Sequence, residues 1–450
     1  MRTLALLLLL VLAGAAALAA GDDSQRLKSV LDAHMSTKTK YPPPPPSGPD
    51  AWVDSARCRP VQLNWVVRHG TRFPTIKDID RIDRTIERLR AGPGGAASWV
   101  QRWASPYRAD AAGWLAPVGV AELAAMGERV RARFGAPLDV ALDPARFAFE
   151  ATWKPRTQQS AAAFAFGFFG GRYAPLRVHV DAVGVDHALR FFANCPAYDR
   201  AIDQNASATI HHAQYRGGAQ MRRNLRAFRE RAGDAALTQT DLEAAYAGCA
   251  FDVAVRGVYD EWCALFDAET LHAMDYFHDL KHFYKKSHGH ALAFAIAAPL
   301  LQDVFRSLRA RAARASGAVA GHFRFAHAET ILPLASLLDL SYFDRHANDR
   351  DGHFLADTPL AVAKTRKFRG SALAPFAANI GFVLYECDDD DGAGAADAIA
   401  NGTSFHVATL LNERPVRFRE CGDRVLCPFP DLQRIFRRWI HEFDFHEQCA

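Results

Sequence analysis

The segment Arg68-His69-Gly70-Thr71-Arg72-Phe73-Pro74 sets two arginines around one histidine, directly after an apolar run holding Val61, Leu63, Trp65, Val66 and Val67. Forked guanidinium N–H groups on Arg68 and Arg72 suit the oxygens of a phosphate dianion. Between them, His69 as a neutral imidazole can attack phosphorus without the repulsion an anionic nucleophile would meet. Gly70 is expected to let the backbone turn sharply beside the ligand. Such chemistry also needs a clamp for the remaining oxygens and a proton for the leaving alkoxide. Arg156, in Lys154-Pro155-Arg156-Thr157-Gln158-Gln159-Ser160-Ala161, is the candidate third clamp residue, because a strand pattern there gives way to a helix pattern and helix N-termini favour anions. Glu329, in Phe323-Arg324-Phe325-Ala326-His327-Ala328-Glu329-Thr330, can supply the proton if its carboxyl is protonated when substrate arrives. Acid or neighbouring negative charge favours that state. Read alone, a glutamate at a helix start is a cap that complements the dipole.

Lys77, Arg81 and the cluster Lys364-Thr365-Arg366-Lys367-Phe368-Arg369 are candidates for contacting further phosphates, although each cation alone reads as a solvated side chain. The mechanism needs no metal or cofactor. None of the 18 histidines stands in a His-Glu-x-x-His site and no cysteines form Cys-x-x-Cys. His211-His212 and His288-Gly289-His290 read as packing or surface histidines.

The elements that would position these residues alternate in the first half. A strand ending at Arg68 is followed by helical patterns over 76–89 and over 118–134, the latter placing Val120, Leu123, Ala124, Gly127 and Val130 on one face. A strand over 146–151 and a helix over 157–169 continue an α/β pattern with parallel strands. From about Tyr198 to Ala315 helical periodicity dominates, as in Leu242-Ala245-Tyr246, Val255-Val258-Tyr259-Trp262 and Leu292-Ile296-Leu300-Val304. Strand-like runs return at 322–326, 382–386 and 405–411, with a final helix over 434–441. The expected organisation is an α/β catalytic domain over 51–195 and 320–450, with a smaller, mostly helical domain inserted at 196–319. In an open α/β sheet ligands sit at the C-terminal strand ends, where both the Arg68-His69 and His327-Glu329 segments fall.

Met1-Arg2, the apolar run Leu4–Leu12 and the small residues through Ala20 describe a secretory signal peptide over 1–20. Residues 21–50 follow as a polar segment with a polyproline spacer, Pro42–Pro46. No later segment reads as a membrane span, and Glu447-Gln448-Cys449-Ala450 is neither an ER-retention signal nor a GPI tail. The chain is therefore expected to be secreted. Eight cysteines agree with an oxidising compartment, and Cys249–Cys263 and Cys421–Cys427 are close enough in sequence to close small loops. Asn205 and Asn401 begin glycosylation sequons. A net charge of +4 on 450 residues gives no reason to propose nucleic acid, but a cation excess focused in one cleft would suit a small polyanionic phosphorylated substrate. The acidic run Asp388–Asp391 reads as a solvated loop. Oligomeric state is not legible.

The first segment resembles the Arg-His-Gly-x-Arg-x-Pro signature of the histidine acid phosphatases. The order His327-Ala328-Glu329 resembles the second catalytic segment of one branch, the multiple inositol polyphosphate phosphatases, where most of the superfamily carries His-Asp. Residues Lys364 to Cys387 are similar to that branch too, so the resemblance covers most of the chain. It implies a phosphoglycerate-mutase-like fold, a mostly parallel sheet flanked by helices. It also implies His69 as nucleophile, Glu329 as proton donor, and Arg68, Arg72, Arg156 and His327 as phosphate ligands. Lys77, Lys364, Arg366 and Lys367 would meet further substrate phosphates. Inositol hexakisphosphate and lower inositol polyphosphates are the implied substrates, with 2,3-bisphosphoglycerate as a further one. A long-range Cys58–Cys387 bridge is implied as well, which would leave Cys195 and Cys449 as a pair. The departure from His-Asp requires Glu329, two residues after the histidine, to fill the space of an aspartate one residue after it. The competing readings are a broad-specificity secreted acid phosphatase and a secreted glycoprotein that binds phosphorylated ligands without turnover. A phosphoglycerate mutase would share only the Arg-His-Gly core.

Overall fold

Strand β1 (Cys58–Arg68) is buried from Pro60 onward, as a run without polar alternation requires when both faces of a sheet are covered. Leu63, Trp65 and Val67 enter one core, and Val66 enters the other. The computed structural model describes residues 25–450 apart from 46–49, 94–97, 139–145, 173–175, 341–353 and 389–402. The expected leader, Asn401 and the acidic run beyond Asp388 lie outside the described residues.

Helix α1 (Ile76–Ala91) starts at a capping box between Thr75 and Asp78 and buries Ile79, Ile82, Ile86 and Leu89 at helical spacing. Helix α2 (Pro117–Phe134) buries Leu123, Met126, Val130 and Phe134. Val120, expected on that face, is 45% exposed, because the buried stripe runs through Gly119 and Leu123 instead. Strand β2 (Phe147–Ala151) leads into helix α3 (Pro155–Phe168), and the short β3 (Val178–His179) pairs with β2.

Between residues 196 and 319 the described residues contain helices and no strand. The main ones are α4 (Gln239–Phe251), α5 (Ala268–Lys286) and α6 (Ala298–Ala312). The run Val255–Trp262 is not one helix, since Gly257 at φ +66° ends the turn that follows α4. The pattern Leu292–Val304 is likewise divided, into a short helix Ala291–Ala295 and α6. By length and apolar composition Ala291–Ala312 could cross a membrane, contrary to the sequence reading that no later segment could. Here Leu300, Leu301, Val304, Phe305 and Leu308 are fully buried in the core that covers one face of the sheet. The last helix of the expected insert therefore serves as cover for the sheet, with Arg311 Nε donating to the Val61 carbonyl.

Strand β4 (Gly321–Ala326) runs into helix α7 (Ala328–Leu337), and the chain ends with β5 (Asn379–Asp388), β6 (Thr403–Leu411), β7 (Arg414–Pro415), β8 (Leu426–Pro428) and α8 (Phe429–Ile435). The helix expected over 434–441 is divided between the end of α8 and the turn that follows it. Past α8 a π-turn occupies Arg438–Glu442 and a last helix Phe445–Cys449. The sheet order is β3-β2-β4-β1-β5-β6-β7, with β8 also on β6. Its core, β3-β2-β4-β1, is parallel, and β5 to β8 add antiparallel strands, so the architecture is mixed α/β with helices on both faces. The α2–α3 layer and the Phe147-Phe149-Phe323-Phe325 aromatics fill the second core.

All eight cysteines are paired, as Cys58–Cys387, Cys195–Cys449, Cys249–Cys263 and Cys421–Cys427. The first joins β1 to β5 at residues that are direct register partners.

Candidate active site

The parallel register brings the candidate residues together. Arg68 pairs with Ala326 and Ala151 with Phe325, so β1, β4 and β2 end almost level. Each is followed at once by a segment with chemistry: His69, His327 and Thr152. His69 N–H donates to the Ala326 carbonyl at 3.0 Å and Thr152 N–H to the Phe325 carbonyl at 3.2 Å, which extends the ladder into the site. The His69 and His327 rings stand 5.6 Å apart, edge to face.

His69 is 3% exposed. Its Nδ1 lies 2.9 Å from the Gly70 carbonyl oxygen, an acceptor only, so Nδ1 carries the proton and Nε2 keeps its lone pair. Burial, followed by the charges of Arg68 and Arg156, holds the imidazole well below its ordinary pKa, hence neutral. Gly70 acts differently from expectation. Its φ is not positive; instead a Cβ there would stand 2.6 Å from the Gly119 carbonyl oxygen of α2, so glycine permits close approach of helix and loop. Ser160 Oγ accepts the Gly70 N–H at 3.2 Å, and Glu122 takes both the N–H and hydroxyl of Thr71 at 2.8 and 2.9 Å.

Four arginines converge on this point. Arg68, buried, donates through Nη1 to the carbonyls of Thr37 (2.5 Å) and Ala374 (2.7 Å) and lies over the Phe376 ring at 4.6 Å. Burial, then the neighbouring cations, push its pKa down to about 9, still a cation at neutral pH. Arg72 is fixed by a bond from Nη1 to the Phe73 carbonyl. Arg156, in the first turn of α3, reaches His327 Nδ1 at 3.4 Å, while Arg190 reaches His327 Nε2 at 3.2 Å beside the Thr152 hydroxyl at 2.9 Å. A neutral imidazole can accept at only one nitrogen, so one of these guanidiniums keeps N–H groups for another acceptor. Burial and Arg156 hold His327 well below its ordinary pKa as well.

Glu329 sits in the first turn of α7, 43% exposed at its side chain, with Lys286 Nζ at 2.8 Å. Burial favours its neutral form, yet the Lys286 charge and hydrogen bond outweigh burial and hold the carboxyl well below the usual range. In the resting protein Glu329 is an anion.

Sequence reasoning missed Arg190, Lys286 and Lys38. Residues 31–40 pack into the fold: Leu31 and Met35 are buried, the Thr37 carbonyl accepts from Arg68, and Lys38 lies over the Phe251 ring that Arg72 also faces, at 5.9 and 5.8 Å. Burial, followed by Arg72, Arg81 and Arg68 against the pull of Asp78, pushes the Lys38 pKa down to about 8. Three lysines near the end of one helix, Lys281, Lys285 and Lys286, were a readable signal. Arg190, alone between Leu189 and Phe191, offered none.

Of the other basic candidates, Lys77 is exposed at the start of α1, within electrostatic reach of Lys281. Lys364 and Lys367 are exposed, and Arg81 is tied to Asp78 at 2.6 Å. Arg366 is not a substrate ligand. Its guanidinium is buried against Asp279 (2.5 Å) and Asp275 (2.6 Å) of α5, so the cluster at 364–369 is partly structural. Elsewhere, Glu150, Asp303 and His322 gather closely enough for a metal, but Arg324 supplies the cation there, with Nε 2.9 Å from Asp303.

Residues 61–412 match the family model of the histidine phosphatase superfamily, branch 2. The chain belongs to that superfamily. The multiple inositol polyphosphate phosphatase 1 of Homo sapiens is 29% identical, over 94% of this chain and 89% of the human protein. Its Gallus gallus counterpart is also 29% identical, over 93% of both chains. The resemblance to that branch thus runs nearly the whole length. Among solved structures, the phytase from D. castellii superposes with a TM-score of 0.73 at 17% identity, covering 93% of this chain and 87% of the other. The Bifidobacterium longum multiple inositol polyphosphate phosphatase in complex with inositol hexasulfate gives 0.66 at 18% identity, covering 90% and 97%. At those identities the structures establish the shared fold.

Proposed function

We propose that this histidine phosphatase removes phosphate from inositol polyphosphates, inositol hexakisphosphate and lower forms, through a phosphohistidine on His69. The observation that carries the reading is the neutral imidazole fixed by Gly70 among Arg68, Arg72 and Arg156. Nε2 attacks phosphorus, and the arginines with His327 hold the non-bridging oxygens. Nδ1–H to the Gly70 carbonyl then stabilises the phospho-imidazolium. Glu329, protonated as the phosphate dianion offsets the surrounding cations, gives its proton to the leaving alkoxide. Water next attacks phosphorus, its proton passes to the Glu329 carboxylate, and the P–N bond breaks to return neutral His69.

Several phosphates on one ring suit the lysines at the crevice. Lys281, whose pKa burial and its neighbours lower, lies within electrostatic reach of Lys77, Lys285 and Lys286, and Lys38 adds a charge near Arg72 and Arg68. The relatives named for inositol polyphosphates support the choice of substrate, as does a similar fold binding inositol hexasulfate. 2,3-Bisphosphoglycerate, with adjacent phosphates, is a further substrate on this reading. Four disulfides support export through an oxidising compartment, and Asn205 is exposed for glycosylation there.

The test is phosphate release from inositol hexakisphosphate, an alkyl phosphate and an activated aryl phosphate. The reading expects the hexakisphosphate to be preferred; equal rates on all three would make the chain a broad-specificity phosphatase. Glu329→Gln should lower turnover of the alkyl esters by about 10²- to 10⁴-fold and of the aryl ester far less. Equal losses on both would remove Glu329 from the donor role.

A further inference from the structure

Glu329 presents a conflict within the proposed reaction: a general acid must carry a proton, yet its surroundings favour the anion. The groups within electrostatic reach are Arg68 at the end of β1, Arg72 after it, Arg156 on α3, Arg190 and Tyr198 on the connecting segments, His327 beside it, and His282 and Lys286 on α5. The four arginines face the proposed phosphate position as a group, so substrate charge offsets them together. Lys286 differs from them. Its Nζ makes a hydrogen-bonded ion pair with Glu329 Oε1 at 2.8 Å, from the last residue of α5, where the helix dipole favours a cation. Lys286 is only 14% exposed while the Glu329 side chain is 43% exposed, so the glutamate has room to change partners while the ammonium is anchored by its helix.

We propose that Lys286 is a positioning residue for Glu329, a cation that holds the carboxylate between turnovers and exchanges it for a substrate phosphate oxygen as the carboxyl takes up the proton it will donate. This rests on the reading of Glu329 as proton donor. The exchange is balanced: one proton is taken from solvent on binding and passes to the leaving alkoxide, the attacking water returns one to Glu329, and that proton goes back to solvent as phosphate leaves and the ion pair with Lys286 re-forms. The ammonium also keeps the spent carboxylate in place for that second step. The Lys286 charge and hydrogen bond hold the Glu329 carboxyl below its ordinary pKa against the effect of burial.

The experiment is the pH dependence of kcat and kcat/KM for Lys286→Met and Lys286→Arg, on an alkyl phosphate and an activated aryl phosphate. Lys286→Met should move the alkaline limb on the alkyl phosphate upward by about one pH unit, because Glu329 then stays protonated to higher pH. Its KM for inositol hexakisphosphate should rise several-fold, Lys286→Arg should keep the wild-type limb, and the aryl phosphate should show little movement. An unmoved limb in Lys286→Met, or an equal movement in Lys286→Arg, would overturn the proposal. The two readings fail separately: a Glu329→Gln enzyme that keeps full alkyl activity removes the donor role itself, whereas a crippled Glu329→Gln with an unmoved Lys286→Met limb removes only the role of Lys286.

Discussion

His69→Ala should lose turnover on every substrate, by on the order of 10⁴-fold or more, while still binding phosphate. The size follows from the loss of the one nucleophile in the proposed route, since the arginines have no lone pair to offer, both His327 nitrogens face Arg156, Arg190 and Thr152, and Glu329 serves as the acid. Binding should survive because Arg68 is held by Thr37 and Ala374 and Arg156 by its position on α3, neither through His69. Phosphate release by steady-state assay and phosphate binding by calorimetry separate the two. A variant within tenfold of wild type would contradict the nucleophilic role. Because the native imidazole is held neutral well below pH 6.5, the acid limb of kcat/KM should also lie below that value.

The second large effect concerns stability. Arg366 is 1% exposed at its side chain, between Asp275 and Asp279, both fully buried. Asp275 also takes the Ser36 N–H at 2.9 Å and meets His34 at 3.2 Å, so the same knot anchors the segment that delivers Thr37 and Lys38. Burial, with the Asp275 charge and against Arg366, pushes the Asp279 pKa up to about 7, while Arg366 helps hold Asp275 well below its ordinary value despite burial. Arg366→Met would strand two carboxylates in the core, at a cost of about 3–5 kcal/mol. Without the guanidinium both folded-state pKa values rise above their unfolded values. Stability from a raised carboxyl is present below the unfolded pKa and is lost as pH rises towards the folded one. The cost should therefore grow from about pH 4 to about pH 8. Denaturant unfolding at pH 5 and pH 8 checks it, and an equal loss at both would mean that Arg366 acts through packing alone.

Much of this architecture was legible because it follows from local pattern. Buried strands declare themselves as apolar runs, and the strands holding Val67 and Phe325 end where charged motifs begin. Parallel pairing then brings His69 and His327 together. What failed was what depends on a partner distant in sequence. The exposed Val120 and the broken helix at Gly257 depend on which face a neighbour covers. Arg366 reads as a surface cation until Asp275 and Asp279, about 90 residues away, enclose it. Lys38 lies in a polar segment ahead of the polyproline spacer, and only its path past Arg68 and Phe251 makes it part of the site.

The central claim is a covalent phosphoryl-enzyme on His69. It is tested most directly by mixing the enzyme with phosphate-labelled inositol hexakisphosphate for milliseconds, quenching in alkali, which spares P–N bonds, and mapping the label by peptide mass spectrometry. The account predicts label on the peptide containing His69, lost on acid treatment and absent in His69→Ala. Rapid turnover with no label at His69, or label on another residue, would contradict it.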